Sequence, residues 1–145
     1  MNCSTDLSCV VRDEKSAKNT DIINLHDMNL TTIVTLKIGK FSEGDRILVN
    51  GHCTVNHESD GGVHIGIYKD SGSANIEFMH DKDYISSSAY NENATQSSLC
   101  LSAICKIKSG GDLVLKFGGV TDNTVTANVP SGFCQIYTAF LGKAT

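Results

Sequence analysis

An all-β sandwich is the fold class this chain predicts, and three observations predict it. Short segments alternate apolar and polar residues at period two. Glycine-aspartate and glycine-glycine turn signals separate those segments. No stretch carries a helical apolar period over three turns. The last third shows the pattern best. Residues 103–107, 113–117 and 133–141 read as strands, with a Gly110-Gly111-Asp112 turn between the first two.

The strands follow in order from Ile22. Residues 22–25 and 29–38 are β-branched and largely alternating. Phe41-Ser42-Glu43-Gly44-Asp45 is a turn. Ile47, Val49, Gly51, Cys53 and Val55 then share one face, and Leu48, Asn50, His52 and Thr54 the other. A second turn, Ser59-Asp60-Gly61-Gly62, leads into a strand with Val63, Ile65 and Ile67 inward. A third turn lies at Lys69-Asp70-Ser71-Gly72-Ser73, and residues 74–78 form a short strand. Residues 79–97 are rich in Ser, Asn and Asp and read as a long loop or weak strand. Leu99, Leu101, Ala103, Cys105 and Ile107 share one face of the next strand, and Leu113, Leu115 and Phe117 point inward from the one after. Gly118-Gly119 reads as a turn, and residues 121–129 hold at most one short strand. About eight strands separated by turns fit a sandwich or barrel.

Length and composition bound the rest. The chain has 145 residues, one domain's worth and enough to bury a core without metals or disulfides. It has Gly 13, Pro 1 and no Trp, as a polar, turn-rich β protein does. Net charge is −4, and arginine occurs only at Arg12 and Arg46. Without clustered cations, direct nucleic-acid binding is not expected. The longest apolar run is far shorter than a membrane helix, so no membrane partner is expected. The first residues lack a basic segment followed by an apolar one, which predicts assembly in a cytoplasm. Six cysteines (Cys3, Cys9, Cys53, Cys100, Cys105 and Cys134) show no Cys-x-x-Cys spacing, so mostly free, buried thiols are expected, with Cys3 and Cys9 able to pair.

Residues 1–22 are polar and mixed in charge around the apolar Val10-Val11. They read as a tail, or as an arm that orders on a partner surface. The expected organisation is therefore an N-terminal arm over residues 1–22 and one sandwich over residues 23–145.

No motif for chemistry stands out. His57-Glu58-Ser59-Asp60 with nearby His64 lacks the converging spacing a metal needs, and turn polarity explains it. Asp81-Lys82-Asp83 is no calcium loop. A Gly-x-Ser-x-Gly elbow is missing, and the paired glycines do not form a phosphate loop. The sequence therefore predicts a non-enzyme with no cofactor.

Four pieces in order carry a resemblance. They are Gly44-Asp45-Arg46-Ile47-Leu48-Val49-Asn50-Gly51-His52-Cys53-Thr54-Val55, Ile65-Gly66-Ile67-Tyr68-Lys69-Asp70, Ile107-Lys108-Ser109-Gly110-Gly111-Asp112-Leu113-Val114-Leu115 and Tyr137-Thr138-Ala139-Phe140-Leu141-Gly142. Together they resemble the strands of tumour-necrosis-factor-like and complement-globular-head jelly rolls, over roughly residues 23–143. That resemblance implies a single antiparallel jelly-roll sandwich that forms a homotrimer. In phages and viruses the design serves as capsid decoration (cement) proteins, head fibres and receptor-binding tips. It implies a trimer interface at Cys100, Tyr137 and Leu141, with Cys100 standing where the family often has an aromatic. The leading expectation is a decoration protein or head fibre on the outer surface of a phage capsid, in the virion. Its partners would be itself, the major capsid protein and possible host-surface glycans or proteins. Val10, Val11 and Arg12 would be the attachment arm, and Asp60, Asp81, Asp83 and Tyr90 the exposed loop contacts. The alternatives are a glycan- or receptor-binding fibre tip and a secreted cytokine-like ligand.

Overall fold

Two antiparallel sheets account for the alternation. A computed structural model describes residues 12–26, 29–57, 61–91, 95–122 and 126–143. These form β1 (Arg12–Lys18), β2 (Ile23–Leu25), β3 (Thr31–Phe41), β4 (Asp45–His57), β5 (Gly61–Ser71), β6 (Asn75–Glu77), β7 (Tyr84–Asn91), β8 (Gln96–Ser109), β9 (Gly111–Thr121), β10 (Ala127–Val129) and β11 (Cys134–Lys143). Sheet I has seven strands and runs β1-β11-β4-β8-β6, with β10 and β2 extending the β11 and β1 positions beside β4. Sheet II has four, in the order β3-β9-β5-β7. From β3 to β10 the chain alternates between sheets at every step, the winding of a jelly roll.

The core lies where the two inner faces meet. β4 alternates buried residues with half-buried ones and the exposed His52, and β8 alternates buried and exposed ones. Val49, Val55, Val63, Ile67, Leu113, Leu115 and Phe117 have no exposed surface. Each such aliphatic or aromatic side chain stabilises the fold by about 1.5–3 kcal/mol. Phe117 is seated over Gly51, where an added Cβ would lie 2.4 Å from its ring. The centre of β4 therefore carries a glycine because the facing aromatic fills its side-chain space.

Local chemistry sets the turns. Gly44 has φ +89°, and Asp45 accepts a 2.8 Å hydrogen bond from the Ser42 amide, closing the β3–β4 turn. On β3, register shifts between Thr32 and Val34 and between Lys37 and Gly39 interrupt the alternation, so Ile33 and Val34 are both buried.

Three expectations are corrected. Residues 12–18, placed in the arm, are instead an edge strand paired with β11, so the boundary after residue 22 falls inside the sheet. Backbone pairing needs no apolar side chain, and charged residues suit an edge. Residues 84–91 are a full strand on the β5 edge, with a short 3-10 turn over Met79–Asp81 before it. Gly118 and Gly119 lie inside β9 rather than in a turn, because Leu30 and Leu25 pack where their Cβ atoms would be.

Candidate functional site

Sheet I turns a continuous face outward, built from rows that cross β11, β4 and β8. Register places Gln135, His52 and Cys100 in one row, Tyr137, Asn50 and Ser102 in the next, and Ala139, Leu48 and Ile104 in the third. The first two rows are tied laterally: His52 Nε2 lies 3.2 Å from Gln135 Oε1, and Ser102 donates to Asn50 at 2.5 Å. They line a depression of about 460 Å³, floored by Gly51 and Leu101. The third row is apolar: Ile104 is 44% exposed, Leu48 is half-buried and Ala139 is fully covered.

Two of the three expected interface residues, Cys100 and Tyr137, thus lie on either side of β4 and both line that depression. Tyr137 also donates a 3.0 Å hydrogen bond to Glu14 on β1. Partial burial, and then the Glu14 carboxylate, raise its phenol pKa above the ordinary value. Leu141 is not in the rows. The register skips it between Phe140 and Gly142, so it sits half-buried in a bulge.

The other expected contacts are scattered. Arg12 begins β1 with its backbone opposite Phe140, while Val10, Val11 and Asp60 lie outside the described residues. Asp81 and Asp83 are exposed before β7, near its Tyr84 end. Tyr90 is 63% exposed near the other end, opposite Gly62. Six residue steps along a strand span roughly 20 Å, so these residues do not form one loop cluster.

Sheet II carries an arrangement that local spacing did not reveal. His64 on β5 binds Ser88 on β7 through Nδ1 at 2.5 Å and Asp122 after β9 through Nε2 at 2.8 Å. Asp122 reaches the ring by lying over Gly62, and its amide donates to the Gly62 carbonyl at 3.0 Å. The residue types are those of a catalytic triad. The setting differs, because Ser88 stands on an exposed strand face, and oxyanion chemistry needs donors in a water-excluded site. His57 sits in sheet I instead, buried and 2.7 Å from Ser97, so the two histidines do not converge. Among the described residues no three His, Cys, Asp or Glu side chains form a metal-holding group.

Of the described cysteines, Cys53, Cys105 and Cys134 are buried free thiols and Cys100 is exposed. Burial pushes the Cys105 thiol up to about 12, against a smaller opposing hydrogen bond from the Glu77 backbone, so it is protonated and inert at neutral pH. No helix among the described residues is long and apolar enough to cross a membrane.

No protein-family model matches the sequence, and no curated protein matches it. Solved structures do match. The Eiger TNF from S. frugiperda aligns with 8% identity and a TM-score of 0.56, over 94% of this chain and 96% of that one. The VP2 subviral particle of infectious bursal disease virus aligns with 12% identity and a TM-score of 0.47, over 91% of this chain and 37% of that one. In fold, the chain is a tumour-necrosis-factor-like jelly roll.

Proposed function

We propose that this chain is a non-enzymatic structural protein of a virion: a homotrimeric decoration protein or head fibre on the outer surface of a phage capsid, assembled in the host cytoplasm. One observation carries the reading. The outer face of sheet I is a laterally tied, mixed apolar and polar surface in which Cys100, Tyr137 and the exposed Ile104 lie on neighbouring rows. Three copies meeting on this face bury the Leu48 and Ile104 row and screen the sheet. The polar rows beside it make a wet interface whose hydrogen bonds set the register of the copies. In this reading Val10, Val11 and Arg12, the last of which opens the edge strand β1, serve as the attachment arm to the major capsid protein, and three such arms add avidity.

Light scattering on the purified chain tests the assembly, with a trimer mass expected and a monomer mass at micromolar concentration against it. Incubation with capsid shells stripped of decoration protein, followed by electron microscopy, tests the location. Density at three-fold or quasi-three-fold positions is expected, and bare shells at saturating protein overturn it.

A second reading, a glycan- or receptor-binding fibre tip, is favoured by the exposed Tyr90 close to the Ser88, His64 and Asp122 group. An aromatic face beside hydrogen-bonding side chains suits a sugar ring. A glycan array in which binding disappears with Tyr90→Ala would favour it.

A further inference from the structure

Cys53 on β4 and Cys134 on β11 face each other at the centre of sheet I. Backbone hydrogen bonds define the kind of pair. The Cys134 amide donates to Asn19 Oδ1 at 2.9 Å, and its carbonyl accepts from the Asn19 amide at 3.2 Å, so both groups turn away from β4. One step out, the Thr54 amide donates to the Phe133 carbonyl at 2.9 Å. Cys53 and Cys134 therefore occupy a non-hydrogen-bonded position of the ladder, where opposed Cα atoms approach to about 4.5 Å and side chains come closest. A disulfide requires a Cα separation of about 4.4–6.8 Å. Neither residue is more than 1% exposed.

We propose that Cys53 and Cys134 form a cross-strand disulfide when the chain meets a small disulfide oxidant such as oxidised glutathione. One thiolate attacks a sulfur of the oxidant and expels a glutathione thiolate, giving a mixed disulfide. The second cysteine attacks the protein sulfur of that intermediate and expels the other glutathione. One protein S–S bond forms and the oxidant's S–S bond breaks. Two electrons pass to glutathione, and the two thiol protons leave with its two thiols.

The partner choice is fixed by the sheet. Cys100 points to the opposite, outer face, and Cys105 lies across from Ile47 on the far side of β4. Timing is fixed by burial. Its contact with Cys53, and then desolvation, push the Cys134 thiol far above the ordinary range, so little thiolate exists in the native sheet. Oxidation therefore proceeds during folding, or when the β10–β11 junction opens, and is slow otherwise. Once formed, the bond closes a long loop from β4 to β11 and restricts the unfolded chain.

The test refolds the full chain in a mixture of reduced and oxidised glutathione, followed by alkylation and peptide mass spectrometry. A linked peptide joining Cys53 to Cys134, lighter by two hydrogens, is expected, with a thermal midpoint roughly 10 °C above the reduced protein. Cys100→Ser should keep both results, and Cys134→Ala should lose both. If Cys134→Ala does not fold, the volume-matched Cys134→Val serves, and the peptide map of the unaltered chain decides by itself. Recovery of Cys53 and Cys134 as free thiols or separate glutathione adducts, while Cys100 is modified, overturns the proposal. So does a redox-dependent midpoint shift that survives in the Cys134 variant.

Discussion

The outer faces of the two sheets solve different problems. Sheet II is rich in glycine on its outer side, and its own side chains cover the bare backbone. Asp122 lies over Gly62, the Tyr68 ring over Gly66, and Leu30 over Gly118. The Tyr68 ring then stacks on Tyr84 at 5.6 Å. Sheet I leaves Cys100, Ser102, Ile104 and Lys106 open along β8. Where side chains lie over these glycines, the backbone of sheet II has little left for a partner to desolvate, whereas the open β8 rows still have surface to bury. Exposed side chains, not thin side chains, mark the face with capacity for assembly.

The largest expected effect breaks that contrast directly. Ile104→Asp places a charge in the apolar row and should convert the proposed trimer to monomers in light scattering. Tyr90→Asp on sheet II should leave the mass unchanged, and the reverse outcome would move the assembly face to sheet II. Next comes a matched pair of glycines. Gly51→Ala drives a methyl group into the enclosed Phe117 ring and should cost about 2 kcal/mol in denaturant unfolding. Gly66→Ala meets only the outer ring of Tyr68, which can swing toward solvent, and should cost under about 1 kcal/mol. His64→Ala removes two surface hydrogen bonds and should cost less than about 1 kcal/mol, with no change in assembly. Smallest is Tyr137→Phe, which removes the Glu14 bond and should cost below about 0.5 kcal/mol. Because the folded-state phenol pKa is raised, this difference is present in full below pH about 10. It is lost as pH rises through the folded-state value. Parallel unfolding curves of the two proteins at rising pH check the sign.

Where a strand has one dry face, the sequence announced it. Ile47, Val49, Gly51, Cys53 and Val55 alternate cleanly, as do Leu99 through Ile107, and both sets are buried as the alternation requires. β1 was not legible because Arg-Asp-Glu-Lys-Ser-Ala-Lys has no apolar alternation, and its order comes from the backbone of β11. β7 was obscured for a related reason: only Ile85 and Ala89 mark its inner face as apolar, between serines. The candidate face was half legible. Cys100 and Tyr137 came from resemblance to a known strand pattern, but only the pairing of both strands with β4 joins them. Ser88, His64 and Asp122 had no local signal, since the two registers of β5 against β7 and β9 bring them together.

Asn19 gives the sandwich a mechanical stop. It lies at the end of β1, beside the break between β10 and β11, and holds both sides of that gap. Its side chain donates to the carbonyls of Asp21 and Pro130, each at 2.9 Å, and its backbone carbonyl accepts from the Gly132 amide at 2.8 Å. A pull on the chain ahead of Arg12 is borne first by the β1–β11 ladder. If that ladder peels, the tear runs residue by residue as far as Lys18 and then meets a buried knot tied to three separate segments. A tether at this end therefore has a sacrificial strand in front of a fixed anchor, and the core can survive a load that strips its edge.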